Sequence, residues 1–348
     1  MLSQRILSTL GHTSEIFKRS SLIFKGVNAF WRIPPNLDLT NYSNQETSLG
    51  LYPLDYATIV KDGYYWLSDK EGLPVKPVWG NVIHNNTRLC GYAIGNWNLY
   101  YETNDEKYLE QVKHVADYLL RTADHYNNEV NLRKEILGQG HVGEISSMSQ
   151  GQAISVFCRC FEATNDLKYL DAALKCIPCF YRNVDANGVV STYGTDHLLW
   201  YEEFVKPPCL HVLNGMMYAM LGLFDLFKLT KSESIHDLYQ KGVKSIEDAL
   251  PSFDCGWWSW YGVRDDGNHY LASMGYHSLH IWQLYVLGTI ADSSIMLEKA
   301  NRFLEYTRHS DFRLRSIKFL VYEKAKKYFK GYFNKLTKLH SQTMWYIT

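Results

Sequence analysis

Apolar positions recur at spacings of three and four along Tyr108, Val112, Val115 and Leu119, and again along Leu167, Leu170, Leu174 and Ile177. Each series predicts an amphipathic helix with one buried face and one wet face. Both helices follow the same signature: Thr103-Asn-Asp-Glu-Lys-Tyr-Leu109 returns as Thr164-Asn-Asp-Leu-Lys-Tyr-Leu170, with six of seven positions identical. Asp105 and Asp166 stand where N-caps belong. By contrast, Val212 to Leu229 is apolar nearly all round, through Met216, Met217, Met220, Leu221 and Phe224, which predicts a helix buried on both sides.

Further inner helices are expected near residues 149–163 and 277–290. A third hairpin runs through Thr230 into Ile235 to Ile246, and a fourth from His280 to about Tyr306. Repeated pairs with a buried first helix and an amphipathic second one describe a mainly α fold, an incomplete (α/α) toroid. Small β-hairpin insertions are expected at its cleft, because Gly188 to Phe204 and Phe253 to Val263 mix β-branched and aromatic residues. The expected organisation is an irregular, aromatic-rich segment over 1–90 covering one side of the toroid, the toroid itself over 91–310, and a basic helical extension over 311–348.

Composition narrows the classes. Lys plus Arg and Asp plus Glu both number 36 in 348 residues, so no bulk charge argues for a nucleic-acid partner. No apolar run reaches the roughly 20 residues of a membrane span. Tyr outnumbers Phe by 26 to 15, which points to aromatic surfaces with polar tips, suited to sugar faces and hydroxyls. Seven cysteines, among them Cys158, Cys160, Cys176 and Cys179 in helix-periodic segments, read as reduced core thiols. With no secretory h-region, this favours the cytoplasm or its membrane face. The basic run from Arg313 through Lys338 permits peripheral membrane contact or an anionic-polymer track, and Arg5, Lys18, Arg19 and Lys25 make the N-terminus basic too.

No phosphate loop, nucleophile elbow, zinc helix or dinucleotide fingerprint occurs, so no cofactor is expected. His277 and His280 are spaced for metal binding, but no third ligand lies at helical reach, and metal independence is expected. What remains is acid, base and aromatic. The elements are Met148 to Ser155 (Met-Ser-Gln-Gly-Gln-Ala-Ile-Ser), Trp200-Tyr-Glu-Glu203, Val212-Leu-Asn-Gly-Met-Met-Tyr218, Leu250-Pro-Ser-Phe-Asp254, Tyr261-Gly-Val-Arg264, and Tyr276-His with His280-Ile and Gln283-Leu. In this order, over about residues 145–306, they resemble the C-terminal catalytic domain of the D-glucuronyl C5-epimerases. Members of that family convert D-glucuronate to L-iduronate within heparosan or heparan sulfate chains, in glycosaminoglycan biosynthesis, on an α/α toroid.

The resemblance implies Glu203, Tyr261 and Tyr276 as catalytic residues. Arg264, Tyr201, Gln150, Gln152, Asn214, His277 and Trp258 are the implied substrate-binding residues, and the implied partner is an anionic glucuronate-containing polysaccharide. Phe204 stands where the family often has Tyr. Animal members carry a β-rich domain before the toroid, for which residues 1–90 look too short; homodimerisation is left open. The chemistry suits the residue types. Removing a proton α to a carboxylate needs that charge neutralised, a task for Arg264, and inversion needs a base and an acid on opposite faces, assigned to Glu203 and Tyr276, with Tyr261 orienting the carboxylate. The same carbanion can eliminate its C4 oxygen, so a uronate lyase is the alternative, followed by a glycoside hydrolase and a non-catalytic polysaccharide-binding helical repeat.

Overall fold

The computed structural model describes residues 31–323, apart from 45–47, 66, 79 and 138, together with residue 326. Four helical hairpins carry the fold: α3 (Asn86–Thr103) with α4 (Glu106–Thr122), α5 (Ser147–Thr164) with α6 (Leu167–Lys175), α7 (Leu213–Thr230) with α8 (Glu233–Ala249), and α9 (Met274–Ile290) with α10 (Ser294–Arg308). Two short helices precede them, α1 (Leu39–Asn44) and α2 (Tyr56–Lys61). The first member of each pair is inner: α3 packs on α5, α5 on α7 and α7 on α9, while the second members lie outside. The mainly helical toroid and the inner helices expected near 149–163, 212–229 and 277–290 are therefore present.

The repeated signature works as a turn. Thr103, Thr164 and Thr230 each donate a hydroxyl to the carbonyl four residues back, at 2.6, 2.6 and 2.8 Å. The next residue, Asn104, Asn165 or Lys231, is left-handed, with φ of 54°, 54° and 53°. The third residue then opens the outer helix, with Asp105 and Asp166 accepting from Lys107 N and Lys168 N. The fourth hairpin turns through Asp292 (φ 53°) and is capped by Ser293.

Inner helices approach closely because small residues meet. A Cβ on Gly151 would stand 2.5 Å from the Ala219 Cα, and one on Gly222 would collide with the Gly151 carbonyl. Outer α4 buries Val112, Val115 and Leu119 as its periodicity predicts, with Tyr108 partly covered. Outer α6 departs from expectation. It buries Tyr169, Ala172 and Ala173, keeps Leu170 partly buried against the core and leaves Leu167 and Leu174 exposed, with the Tyr169 hydroxyl docked on Asp117 of α4 at 3.0 Å. Ile177 is buried, but beyond the helix end, where Pro178 opens a 3₁₀ turn.

Instead of α9 packing on α3, α1 packs on α9 and α2 on α3. The segment carrying these two short helices does more than cover one side, because its tyrosines reach the inner helices. Tyr42 donates to Asp225 of α7 at 2.7 Å, and Tyr56 meets Tyr218 of α7 at 2.6 Å and Gln152 of α5 at 3.1 Å. Asp225 also pairs with Arg159 of α5 at 2.6 Å, both fully buried. The small strands are β1 (Lys76–Val78) with β2 (Asn81–Ile83), β3 (Val190–Tyr193) with β4 (Leu198–Tyr201), and a three-stranded sheet of β5 (His211–Val212), β6 (Trp260–Val263) and β7 (Tyr270–Leu271), all antiparallel.

All seven cysteines are unpaired thiols, and Cys158, Cys160, Cys176 and Cys179 lie in the core. Arg313, Arg315 and Lys318 sit on a helix over 310–323, where Phe312 and Phe319 pack on the core. Lys324, Lys327, Lys330, Lys335 and Lys338, and the basic N-terminal positions up to Lys25, lie outside the described residues. Among the described residues no helix is long and apolar enough to cross a membrane.

Candidate active site

The site is built where outer helices return to inner ones. The β3–β4 hairpin ends at Tyr201, and the first turn of α5 clamps that end: Ser147 N donates to Glu202 O and Ser147 Oγ to Tyr201 O, both at 2.9 Å. The two following carboxylates then diverge. Glu202 points inward and is fully buried; its Oε1 accepts from Ser191 Oγ and faces His211 Nδ1 at 2.6 Å, while His211 Nε2 lies 3.6 Å from Asp265 Oδ2. Glu203 lies across the first turn of α7. A Cβ at position 215 would stand 2.8 Å from both the Cβ and Oε2 of Glu203, so Gly215 leaves the space that the carboxylate fills.

Burial pushes the Glu203 carboxyl up to about 7, opposed by the positive charge of Lys134 and by a hydrogen bond from Tyr261. Its Oε2 is buried without a hydrogen-bond partner. Tyr261, on β6, is held well above the usual phenol range by burial, by the Glu203 charge and by Tyr276. The Tyr261 and Tyr276 rings lie 4.6 Å apart at 55° and their hydroxyls share a hydrogen bond. Tyr276 projects from the first turn of α9, capped by Ser273, and is 43% exposed. Glu203, Tyr261 and Tyr276 thus form one connected set that runs from buried to open.

The other expected residues divide. Arg264 follows β6 and faces Asp266 at 3.4 Å; its Nε is buried without a hydrogen bond. Asn214 adjoins Gly215, with Oδ1 buried and unmatched. Gln150 is committed to backbone, accepting from Leu132 N at 2.8 Å and donating to Val130 O at 2.9 Å. Gln152 donates to the Tyr56 hydroxyl in the interior. The Tyr201 hydroxyl donates to Leu238 O, and Trp258 Nε1 to Ala272 O. His277 stacks on Trp258 at 3.7 Å with both ring nitrogens engaged, by Ser259 and by Phe303 O. These last five side chains are buried and hydrogen-bonded within the protein. Among the described residues no three His, Cys, Asp or Glu side chains gather as metal ligands.

Two residues escaped the sequence reading. Lys134 sits in a charged stretch, Arg133-Lys-Glu135, with nothing to single it out; its Nζ lies 4.0 Å over the Phe204 ring, and burial pushes its pKa down against the pull of Glu144 and Glu203. His211 immediately precedes the Val212 motif, and its pairing with Glu202 is visible only once β5 is placed.

The family model described as D-glucuronyl C5-epimerase C-terminus matches residues 124–305. A D-glucuronyl C5-epimerase of Caenorhabditis elegans is 32% identical, over 46% of this chain and 28% of that protein. An uncharacterized protein of Methanocaldococcus jannaschii is 26% identical, over 64% of this chain and 75% of its own length. The chain thus spans little more than a quarter of the Caenorhabditis elegans protein. Among solved structures, the cellobiose 2-epimerase from Bacillus thermoamylovorans superposes with a TM-score of 0.52 at 12% identity, over 78% of this chain and 74% of that one, a likeness of fold.

Proposed function

The chain belongs to the family of the D-glucuronyl C5-epimerase C-terminus, and from that premise we propose that it inverts C5 of D-glucuronate residues to L-iduronate in a heparosan- or heparan-like polysaccharide. One observation carries the reading: a half-buried carboxyl, Glu203, poised at about 7 and joined through Tyr261 to the exposed Tyr276. A group with a pKa near neutrality is ionised enough to take a proton and protonated enough to return one. In this reading one of Glu203 and Tyr276 removes the C5 proton, the electron pair moves into the uronate carboxyl as an enediolate, and the other delivers a proton to the opposite face. Tyr261 holds the two in register.

The uronate carboxylate needs a cation before C5 becomes acidic, because the enediolate carries a second negative charge. Arg264, paired through its Nε to Asp266 at 3.4 Å and only partly exposed, is the cation proposed for this role, and Lys134 adds positive potential on the Glu203 side. The arrangement of Glu202 disfavours hydrolysis. A glycosidase needs two carboxylates across the scissile bond, whereas Glu202 is turned inward to Ser191 and His211. For location we propose the cytoplasm or its membrane face, supported by seven unpaired thiols.

Heavy water tests the reaction. With a glucuronate–N-acetylglucosamine polymer, C5 should acquire deuterium while iduronate accumulates, and Glu203→Gln should slow exchange by about 10²- to 10⁴-fold. Unsaturated ends absorbing in the ultraviolet would instead identify a lyase. New reducing ends without label at C5 would identify a hydrolase.

A further inference from the structure

Glu203 and Tyr261 meet across a seam. Glu203 follows the β3–β4 hairpin and Tyr261 lies on β6 of the three-stranded sheet, so the pairing within each sheet does not set the distance from one residue to the other. On the hairpin side the chain is gripped one residue earlier: Glu202 N donates to Val189 O at 2.7 Å and Glu202 O accepts from Ser147 N at 2.9 Å. The Glu202 side chain turns inward and is fully buried, and its Oε1 accepts from Ser191 Oγ and from His211 Nδ1, the latter at 2.6 Å. A carboxylate only accepts, which places the His211 proton on Nδ1.

His211 belongs to the other side of the seam. In β5 it stands opposite Val263 of β6, which follows Tyr261 by two positions and precedes Arg264. Its ring nevertheless lies among groups of the hairpin, 4.8 Å from the Tyr193 ring and 6.1 Å from that of Trp200. A second tie runs beside the first: Asp265 Oδ1 accepts from Gly194 N of the hairpin turn at 3.0 Å, while its Oδ2 lies 3.6 Å from His211 Nε2. A buried pair of this kind adds little stability that apolar residues of like volume would not supply. What it adds is direction, because a charge-assisted hydrogen bond fixes its partners in distance and angle.

We propose that Glu202 and His211 are positioning residues: their hydrogen bond sets the Glu203 carboxyl against the Tyr261 hydroxyl, and with it the geometry of proton transfer at C5. Both are buried, so they act through Glu203 and Tyr261 and not on the substrate. The proposal rests on the epimerase reading for the reaction it serves, and on the seam alone for the geometry it sets. The test measures kcat and KM for C5 exchange, per folded molecule, in three variants of the full chain. His211→Phe keeps a ring and removes the donor, whereas His211→Asn keeps a side-chain donor near the place of Nδ1. The double variant Glu202→Met with His211→Phe removes the pair and leaves no buried charge unmatched, which guards against a fold defect in His211→Phe. His211→Phe and the double variant should each lose about 10- to 100-fold in kcat with KM within about twofold, since a misplacement of about 1 Å costs on the order of 10²-fold. His211→Asn, with its donor retained, should stay within about threefold of the unaltered kcat.

An unaltered kcat in the folded double variant would overturn the proposal, as would a loss carried by KM, or a loss in His211→Asn as large as in the double variant. A crystal structure of the double variant reads the geometry without any substrate. The hydrogen bond from Tyr261 to Glu203 should be broken there, and an intact one would show that the pair does not set it. Should the unaltered chain exchange no C5 proton, the epimerase reading fails, and that crystal structure still decides for or against the positioning pair.

Discussion

Two clusters of tyrosines and charged groups, one in the interior between α5 and α7 and one at the rim where Glu203 crosses the first turn of α7, treat a carboxylate in opposite ways. In the interior, Asp225 has both oxygens engaged, Oδ1 by Tyr42 and Oδ2 by Arg159, and the guanidinium lies 4.9 Å over the Tyr52 ring. At the rim, Glu203 receives Tyr261 but keeps Oε2 buried and unmatched, with its cation at the distance of a field rather than a salt bridge. A buried charge that is matched serves to hold two helices and the N-terminal segment together. Glu203, incompletely matched and without a close counterion, is pushed up to about 7 by burial, a value that suits proton transfer.

The largest expected effect breaks the interior side of the comparison. Asp225→Asn leaves the Arg159 charge buried without its counterion, and removal of one partner from such a pair costs about 3–5 kcal/mol. Denaturant unfolding should show that loss, while C5 exchange by the fraction still folded should be near that of the unaltered chain. Should Asp225→Asn unfold like the unaltered chain, the interior pair would not be the fastening described here.

At the rim, stability should change with pH in the direction opposite to a salt-bridged carboxylate. The folded Glu203 pKa of about 7 lies above the ordinary 4.5, so the native state holds this proton more tightly than the unfolded one. Its contribution is complete below pH 4.5 and is lost as pH rises through 7, a swing of up to about 3 kcal/mol, reduced by whatever water reaches the half-buried carboxyl. Glu203→Gln cannot ionise. Unfolding midpoints measured at pH 5 and pH 8 should therefore show the variant gaining on the unaltered chain at the higher pH, and parallel pH curves would show that the carboxyl is not held up by burial.

How much of this could be read in the chain differs between the two clusters for a physical reason. The toroid was legible because its hairpins repeat a local device: Thr164 and Asp166 bond to atoms within four residues, so their spacing is written in the sequence. Glu203, Tyr261 and Tyr276 were legible as motifs, and the structure brings them together. The interior cluster was not, because Tyr42 and Asp225 are 183 residues apart and nothing local marks either as the other's partner. The same limit hid Lys134, whose charge acts on Glu203 only once its backbone pairs with that of Gly143 and Glu144. Gln150 and His277, which the resemblance implies as substrate-binding residues, each close hydrogen bonds to distant backbone, partners that no local pattern announces.

The smallest expected effect concerns that cation. Lys134→Met keeps an unbranched apolar stem over Phe204 and removes the charge, so the packing at the ring is largely preserved. The charge is one of the two influences that lower the Glu203 pKa against burial. Without it the carboxyl should rise further above 7, and the pH profile of C5 exchange should move upward, by on the order of one unit or less. Lys244→Met, which removes an exposed cation paired to Asp248 on α8, changes net charge equally and should leave the profile where it is. A shift common to both variants would mean that net charge alone moves the profile. A shift in neither would mean that Glu203 is tuned by burial and Tyr261 alone, and the rim would then differ from the interior in having no working counterion.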